Sequence, residues 1–431
     1  MYPINKLNNM KQVEIITIGD ELLIGQVVDT NSAYMAAELN KWGYEVLCVT
    51  SVHDNAQQIQ EALAVAEKRA DVVLLTGGLG PTKDDITKHT LCRYFGTTLT
   101  YRQDIREHLE RLYANRHDVL NRLTDTQCLF PANAMLIANQ VGSAQVMCWQ
   151  RAACTVISMP GVPYEMMWCM EHGVGELLRS LSADAGQIIH RTVQVYGIPE
   201  SSLALLIGGW EDALPAQMHL AYLPKDGIIR LRLSGYGVTA GQMDAQVQQL
   251  LAILDAQTTD RLPSPADKGL AFATEDLPVE VLLGRVLKQR GQTIASAESC
   301  TGGKIAERLN RHAGSSAFYY GSVVAYDNSV KQHVLHVPAE DLAQYGAVSE
   351  PVVRQMAEGV RTLLHTDYAV ATSGIAGPDG GTADKPVGTV WIALATPEGT
   401  YAHCFHLGKL RDQITDRAAT VALVWMWKML S

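Results

Sequence analysis

The 431-residue sequence lacks paired cysteines, an excess of basic residues and long apolar runs. Its eight cysteines are scattered without a C-x-x-C pair, which argues against a zinc site or a disulfide framework and for buried thiols in a reducing compartment. The formal net charge of −10 argues against a nucleic-acid partner, because such proteins present a basic surface. No run reaches the roughly 18 apolar residues of a membrane span, and the polar N-terminus has no apolar signal core. We therefore expect a cytoplasmic protein that binds neither nucleic acid nor membranes.

What is present predicts a globular α/β protein of several domains. Hydrophobic residues make up 47% of the chain and charged residues 19%, as in soluble proteins with real cores. At roughly 100–200 residues per domain, the length predicts two or three domains. The predicted parts are an N-terminal parallel-sheet domain at 1–180, a small α+β module at 186–257, a linker at 258–274 and a C-terminal α/β domain at 275–431.

The first domain shows a strand–helix alternation typical of a parallel sheet. Residues 13–18, 45–52 and 71–75 are apolar, often β-branched, and predict strands with helices between them. In such sheets ligands bind beyond the carboxyl ends of the strands. The third predicted strand leads there into residues 76–85, TGGLGPTKDD. We therefore expect a ligand site at this loop.

The composition of the loop indicates a phosphate held together with a metal ion. Its glycines let a ligand approach the backbone, and a hydroxyl and a helix start can donate to a phosphate. Two carboxylates would repel that phosphate unless a divalent cation, whose identity the sequence does not give, bridges them. The carboxylates could instead only interact with the helix dipole. The predicted ligand-binding residues are Gly77, Gly78, Gly80 and Thr82, and the predicted metal ligands are Asp20, Asp84 and Asp85.

These motifs resemble the N-terminal half of the CinA family, which is similar to the molybdopterin-binding domains of molybdenum-cofactor enzymes. The stretches that carry the resemblance are GDE at 19–21, DTN at 29–31, the loop at 76–85 and PGVP at 160–163 with Glu165 after it. The resemblance implies that Asp54 and Asp85 act in catalysis. It also implies a metal-dependent pyrophosphatase that cleaves ADP-ribose to AMP and ribose 5-phosphate.

The C-terminal domain has its most informative stretch at residues 297–303, AESCTGG. A predicted strand at 292–296 precedes it and a predicted helix at 304–309 follows. A tight turn between a strand and a helix brings backbone N–H groups and hydroxyls to one point. Ordinary α/β domains also contain such turns. If this turn is catalytic, its candidate nucleophiles are Ser299, Cys300 and Thr301.

A serine nucleophile needs a base, and the sequence offers a lysine. A serine hydroxyl reacts poorly until a base removes its proton. Lys331 follows a predicted strand at 318–326 and would become a base if burial lowered its pKa. Tyr326 could relay or hold the proton, and backbone N–H groups near Thr301 and Gly302 could stabilise an oxyanion. The predicted chemistry is acyl transfer without a cofactor.

A second glycine-rich loop, TSGIAGPDGG at 372–381, follows a predicted strand. Its glycines allow close approach of the backbone to an anion or a planar ligand. The predicted substrate-binding residues of this domain are Thr301, Gly302, Gly303, Ser373, Gly374, Gly377, Asp379, Gly380 and Arg411.

The C-terminal stretches resemble the nicotinamide mononucleotide deamidase domain. They are residues 297–303, GAVSEPV at 346–352, SGIAGPDGG at 373–381 and KPVGTV at 385–390, in the family's order. The resemblance implies hydrolysis of the carboxamide of nicotinamide mononucleotide to nicotinate mononucleotide and ammonia. It assigns the family's serine, tyrosine and lysine to Ser299, Tyr326 and Lys331, with Cys300 as the rival nucleophile. One departure concerns Thr415, which stands where an arginine is expected.

The predicted function is therefore a bifunctional enzyme of pyridine-nucleotide salvage. Its partners would be nicotinamide mononucleotide and ADP-ribose, and a homodimer is expected. In a first alternative only the deamidase is active, and the N-terminal half binds a nucleotide or pterin as a regulatory module. In a second, the protein has a non-enzymatic accessory role in DNA uptake.

Overall fold

The computed structural model describes residues 10–114, 122–151, 153–182, 188–225, 227–257 and 271–431. The chain forms two compact units. The first comprises the chain up to Ile189 together with Gly235–Thr239, and the second comprises His190–Ser234 and Ala240–Ser431.

The N-terminal unit alternates strands and helices. Its strands are β1 (Lys11–Ile18), β2 (Tyr44–Val52), β3 (Val72–Thr76), β4 (Leu99–Tyr101), β5 (Leu129–Pro131), β6 (Met135–Ile137), β7 (Val146–Gln150) and β8 (Thr155–Met159). Its helices are α1 (Asp20–Leu23), α2 (Thr30–Lys41), α3 (Ala56–Ala66), α4 (Thr87–Tyr94), α5 (Gln103–Leu112), α6 (Arg122–Gln127), α7 (Pro163–Glu171) and α8 (Gly173–Leu181).

The six-stranded sheet of this unit has the order β2-β1-β3-β8-β7-β6. Strands β2, β1, β3 and β8 are parallel, as predicted, whereas β7 and β6 add an antiparallel edge. Every residue of β3 is buried, because helices cover both faces of the sheet. The carboxyl ends of β1, β2 and β3 meet at one edge, which places their following loops together.

Local signals predicted the helix starts in this unit well. Asp29 accepts a hydrogen bond from the Ser32 N–H at the start of α2, and Asn55 accepts two at the start of α3. The segment Asp20–Leu23, predicted as a loop, is instead one turn of helix that the Ile24 N–H closes onto the Asp20 carbonyl at 3.0 Å.

The remaining elements follow in chain order. The strands are β9 (Ile188–Tyr196), β10 (Met218–Lys225), β11 (Ile228–Tyr236), β12 (Ala271–Ala273), β13 (Ile294–Glu298), β14 (Tyr319–Val324), β15 (Tyr368–Gly374), β16 (Thr389–Thr396) and β17 (Gly399–His406). The helices are α9 (Glu200–Glu211), α10 (Ala240–Asp255), α11 (Val279–Arg290), α12 (Lys304–Asn310), α13 (Asn328–His333), α14 (Ala339–Tyr345), α15 (Glu350–Leu364) and α16 (Arg411–Leu430), with a 3-10 turn at Ser315–Ala317.

The middle module is a four-stranded sheet in the order β10-β11-β9-β12. Strand β12 pairs antiparallel with β9, so that Ala271 lies opposite Tyr196. This corrects the predicted linker at 258–274, because residues 271–273 belong to the sheet. Residues 258–270 of that linker lie outside the described residues.

The C-terminal sheet has the order β14-β13-β15-β16-β17. Its first three strands are parallel, and β16 and β17 are antiparallel. Helices α11, α12 and α16 cover one face and α15 covers the other, which buries all of β13. The parallel pairing of β13 with β15 therefore brings the turn after Glu298 and the loop after Gly374 to the same sheet edge.

Candidate active site

The turn after β13 places Ser299 and Cys300 at the sheet edge. The Ser299 N–H donates to the Thr372 carbonyl of β15 at 3.0 Å, which continues the parallel pairing one residue past the strand. Ser299 is 9% exposed and Cys300 is 6% exposed. Burial raises the pKa of the Cys300 thiol to about 12. The thiol is therefore protonated at neutral pH and packs as a small core residue.

Lys331 is buried on α13, directly beneath the end of β14. Lys331 is only 1% exposed. Its amine donates to the Ala325 carbonyl at 2.7 Å and to the Tyr326 carbonyl at 2.9 Å. Burial lowers the pKa of Lys331, and the negative charge of Asp327 opposes this shift in part. Asp327 accepts from the Ser329 N–H at 2.8 Å and so fixes the start of α13.

A cavity of about 200 Å³ joins these groups. The residues that line it are Ser299, Cys300, Tyr326, Asn328, Lys331, Ala347, Val348, Ser373, Gly374, Ala376 and Arg411. The structure thus brings together the predicted nucleophile, tyrosine, lysine and arginine, with the predicted residues Ser373 and Gly374 of the second glycine-rich loop.

Arg411 and Tyr326 stand at the mouth of this cavity. The Arg411 guanidinium donates to the Gly377 carbonyl at 2.7 Å and to the Tyr326 hydroxyl at 3.4 Å. Tyr326 is 64% exposed, so its ring is available to a ligand that enters. Two nearby residues make contacts different from those of Arg411. The Arg417 guanidinium donates to the Leu407 carbonyl. Thr415, which stands where an arginine is expected, donates its hydroxyl to the Asp412 carbonyl.

Three groups predicted to bind substrate in the first turn are engaged elsewhere. The Thr301 hydroxyl donates to the Glu298 carboxylate at 2.7 Å, and the Gly303 N–H donates to the same carboxylate at 3.0 Å. The Gly302 N–H donates to the Ser299 carbonyl at 3.2 Å. None of the three lines the cavity. The turn therefore uses the Thr301 hydroxyl and the N–H groups of Gly302 and Gly303 internally, and the oxyanion role expected of backbone N–H groups near Thr301 and Gly302 stays a prediction.

The second glycine-rich loop contributes residues of its first half, Ser373, Gly374 and Ala376, to the cavity. The Ser373 hydroxyl donates to the Ala347 carbonyl at 2.7 Å, which joins the loop to the segment before α15. Gly377 contributes its carbonyl to Arg411. Asp379 and Gly380 are exposed and lie outside the cavity lining.

Four cavity residues were not predicted from the sequence. Asn328 had been assigned only to a turn or cap, and the other three had no assigned role. The signal that could have found Asn328 is its position at the first turn of the helix that carries Lys331. The four are Asn328, Ala347, Val348 and Ala376.

In the N-terminal unit, Asp20 and Asp54 form a reciprocal pair at the sheet edge. The Asp20 N–H donates to the Asp54 carboxylate at 3.1 Å, and the Asp54 N–H donates to the Asp20 carboxylate at 3.3 Å. His53 Nδ1 lies 2.8 Å from the Asp20 carboxylate. Burial raises the pKa of Asp54, and the negative charges of Asp20, Glu21 and Asp84 raise it further. The predicted acidic edge therefore exists.

Asp85 has turned back onto its own loop. Its carboxylate accepts from the Gly80 N–H at 2.8 Å and from the Thr82 N–H at 2.9 Å, and the Thr82 hydroxyl donates to it as well. Gly78 and Gly80 allow this close packing, because a Cβ at Gly80 would lie 2.4 Å from the Asp85 carboxylate and one at Gly78 would lie 2.2 Å from the Thr87 hydroxyl. Gly77 adopts φ +113° against the Ile18 carbonyl.

The predicted metal ligands Asp20, Asp84 and Asp85 do not form one ligand set. Within the described residues, no group of three or more His, Cys, Asp or Glu side chains converges to hold a metal ion. Asp85 is engaged by the loop, and Asp84 is exposed. A divalent ion such as Mg²⁺ often takes only one or two carboxylates and completes its shell with water and substrate phosphate. Asp20 and Asp54 fit that smaller set.

Glu165, which follows the PGVP motif at 160–163, is buried. Its carboxylate accepts from the Asn139 side chain at 2.6 Å. A Cβ at Gly142 would lie 1.9 Å from the Glu165 carboxylate, so the neighbouring loop closes tightly over it. Glu165 thus connects α7 to the segment that contains Asn139.

Three family models match successive parts of the chain. Residues 14–180 match the family described as "Probable molybdopterin binding domain", residues 190–263 match "Damage-inducible protein CinA KH domain", and residues 276–430 match "CinA C-terminal domain". A CinA-like protein of Cytophaga hutchinsonii is 44% identical over 94% of this chain and 95% of its own length. The chain belongs to the CinA family.

Two further proteins are similar to this chain. A CinA-like protein of Flavobacterium psychrophilum is 41% identical over 96% of this chain and 97% of its own length. A crystal structure of a competence-damaged protein (CinA) superfamily protein from Klebsiella pneumoniae is 36% identical and covers 35% of this chain and 95% of its own, with a TM-score of 0.35.

The KH match was not foreseen from the sequence, which gave only an α+β module. Residues 190–263 contain no Gly-x-x-Gly sequence, the loop with which KH modules clamp a nucleic-acid backbone. No helix among the described residues combines the length and apolar character needed to cross a membrane.

Proposed function

We propose that the C-terminal domain is a nicotinamide mononucleotide deamidase in which Ser299 is the nucleophile and Lys331 the base. The observation that carries the proposal is the hydrogen bonding of the Lys331 amine. A neutral amine has two N–H donors and one lone pair, and the carbonyls of Ala325 and Tyr326 accept two hydrogen bonds from it. In the neutral form the lone pair is therefore free to accept a proton. The lowered pKa of Lys331 favours that neutral form.

The reaction follows from these roles. Ser299 Oγ attacks the carboxamide carbon while its proton passes to the Lys331 amine. When the tetrahedral intermediate collapses, the C–N bond breaks and Lys331 returns the proton to the nitrogen, which leaves as ammonia. A water molecule then attacks the ester and gives a proton to Lys331. As the ester C–O bond breaks, Lys331 returns that proton to Ser299 Oγ, and the carboxylic acid formed loses its proton to solvent. Arg411, at the cavity mouth, is suited to the phosphate of the nucleotide.

Ammonia release from nicotinamide mononucleotide tests the proposal directly. We expect release by the purified full-length protein, no loss in EDTA, and a fall of at least about 1000-fold in Ser299→Ala and in Lys331→Met. The matched controls are Ser316→Ala and Lys409→Met, which change exposed residues of the same type outside the cavity. Absence of release by the wild-type protein would contradict the proposed function. Full activity in Ser299→Ala would contradict the assigned nucleophile.

We infer a second activity for the N-terminal unit, hydrolysis of the pyrophosphate of ADP-ribose with a divalent metal ion. The observation that favours it is the concentration of negative charge at Asp54, whose pKa is raised by burial and then by Asp20, Glu21 and Asp84. Such clustering of acids is expected where a cation binds. Asp20 and Asp54 would hold the ion, which would supply charge neutralisation at the phosphates.

Cleavage of ADP-ribose to AMP and ribose 5-phosphate tests this second activity. We expect it to require added Mg²⁺, Mn²⁺ or another divalent ion and to fall at least about 100-fold in Asp54→Asn. Asp104→Asn, on the exposed side of α5, is the control. No cleavage with any divalent ion would favour the alternative in which this unit only binds a nucleotide or pterin.

A further inference from the structure

The carboxylate of Glu298 is fully buried and is surrounded by donors. Its residue is 0% exposed. Oε2 accepts from the Thr301 hydroxyl at 2.7 Å and from the N–H groups of Gly303 and Ile305, both at 3.0 Å. Oε1 accepts from the Ala306 N–H at 2.8 Å. All these donors are uncharged and lie in the turn after Ser299 or at the start of α12, where the helix dipole favours a negative charge.

Two further hydroxyls hold the same carboxylate from the sheet side. Ser296 of β13 and Ser322 of β14 each donate to Oε1 at 3.4 Å. A buried carboxylate with this many donors has a fixed position and orientation. The turn and the helix start therefore take their geometry from Glu298.

The backbone of Glu298 reaches the other half of the site. Its carbonyl accepts from the Ala325 N–H at 2.8 Å, and the Ala325 carbonyl accepts from the Lys331 amine at 2.7 Å. Glu298 thus adjoins Ser299 along the chain and is linked through a single residue, Ala325, to the amine of Lys331. The side chain fixes the turn, and the main chain connects it to the lysine.

We propose that Glu298 is the positioning residue of the Ser299–Lys331 pair, and this rests on the proposed deamidase function. Glu298 neither touches substrate nor transfers a proton. It keeps the Ser299 hydroxyl at the distance and angle that attack requires, which is the kind of placement whose loss lowers turnover rather than binding.

The test compares Glu298→Gln with the wild type. The glutamine keeps the length of the side chain but turns one acceptor oxygen into an NH₂ group that faces N–H donors. We expect kcat for nicotinamide mononucleotide to fall at least about tenfold while KM stays within about twofold. Glu307→Gln, which changes an exposed residue of α12, is the matched control and should keep both constants. A kcat for Glu298→Gln within about twofold of the wild type would overturn the proposal.

A second pair of variants covers the case in which Glu298→Gln does not fold. Thr301→Val removes one donor to the carboxylate at nearly constant volume, and Thr301→Ser keeps it. We expect the valine variant to lose kcat and the serine variant to regain most of it. Equal kcat in the two would count against positioning through this contact.

Labelling separates this proposal from the deamidase assignment. A serine-directed fluorophosphonate reports on Ser299 without any nucleotide. If the wild-type protein releases no ammonia, the proposed function fails, and the labelling rate alone decides on Glu298. Slower labelling of Ser299 in folded Glu298→Gln supports the positioning role. Equal labelling, or none in either protein, overturns it.

Discussion

The Asp85 carboxylate accepts a hydrogen bond from the Gly80 N–H at 2.8 Å, and a Cβ at Gly80 would collide with that carboxylate at 2.4 Å. The two residues therefore depend on each other: the glycine makes room for the carboxylate that holds its backbone. The N–H and the hydroxyl of Thr82 also donate to Asp85, so this carboxylate stabilises the loop that follows β3.

Asp85→Ala should destabilise the N-terminal unit. It removes an acceptor shared by three donors. A hydrogen bond to a charged group contributes about 1.5–3 kcal/mol net, and bonds that share one acceptor in a partly exposed loop do not add in full. We expect a loss of about 1–3 kcal/mol, seen by calorimetry as a drop of a few degrees in the transition of this unit. Asp84→Ala, which changes an exposed neighbour, should lose less than half as much. Equal losses of stability in the two variants would contradict the stabilising role of Asp85.

The sequence predicted which segments meet but not which way their groups point. Ser299 and Lys331 could be placed at one sheet edge because each follows a strand that pairs in parallel with its neighbour, and parallel strands end together. The buried β3 and its loop were found for the same reason. These are consequences of periodicity and connectivity, both of which are local in the sequence.

The direction of polar groups depends on contacts between distant segments. Thr301 faces Thr372 and Glu298 inside the domain, although its position in the turn equally allowed it to face a substrate. Asp85 was expected at an open edge, and it is held by a neighbouring loop residue instead. Val348 lines the cavity, and the residue before it, Ala347, accepts a hydrogen bond from the Ser373 hydroxyl of β15, a contact between segments far apart in the sequence.

The pH dependence of deamidation should report on Lys331. Burial lowers its pKa from the ordinary value of 10.5, and only the neutral amine can accept the serine proton. We therefore expect kcat/KM to rise with pH and to level off above a pKa lower than 10.5. Since the charge of Asp327 raises the pKa of Lys331, Asp327→Asn should move this limb to lower pH. A shift to higher pH, or none, would contradict the assignment of the base.

Cys300 should be dispensable for catalysis. With a pKa of about 12, its thiolate fraction at pH 7 is about one part in 100,000. We expect Cys300→Ala to keep kcat within about threefold, because only a small core contact is lost. Iodoacetamide should leave the activity of the wild type unchanged, and Cys404→Ser serves as the control for the half-buried thiol of β17. Loss of activity in Cys300→Ala together with retention in Ser299→Ala would make the thiol the nucleophile.

Arg411 should act on substrate binding more than on turnover. Its guanidinium lines the cavity and is held in place by the Gly377 carbonyl, so it presents its remaining donors to an anion without moving. We expect Arg411→Gln to raise KM for nicotinamide mononucleotide about 10–100-fold, which corresponds to the loss of a charge-assisted contact, while kcat changes less than about threefold. Lys409→Gln removes the same charge from an exposed side chain two residues away and should leave KM unchanged.

The nucleoside without its phosphate supplies the sharper comparison: if Arg411 binds the phosphate, the variant and the wild type should hydrolyse nicotinamide riboside with the same kcat/KM. A fall in kcat/KM by the same factor for both substrates would show that Arg411 instead orders the cavity through its contact with Tyr326.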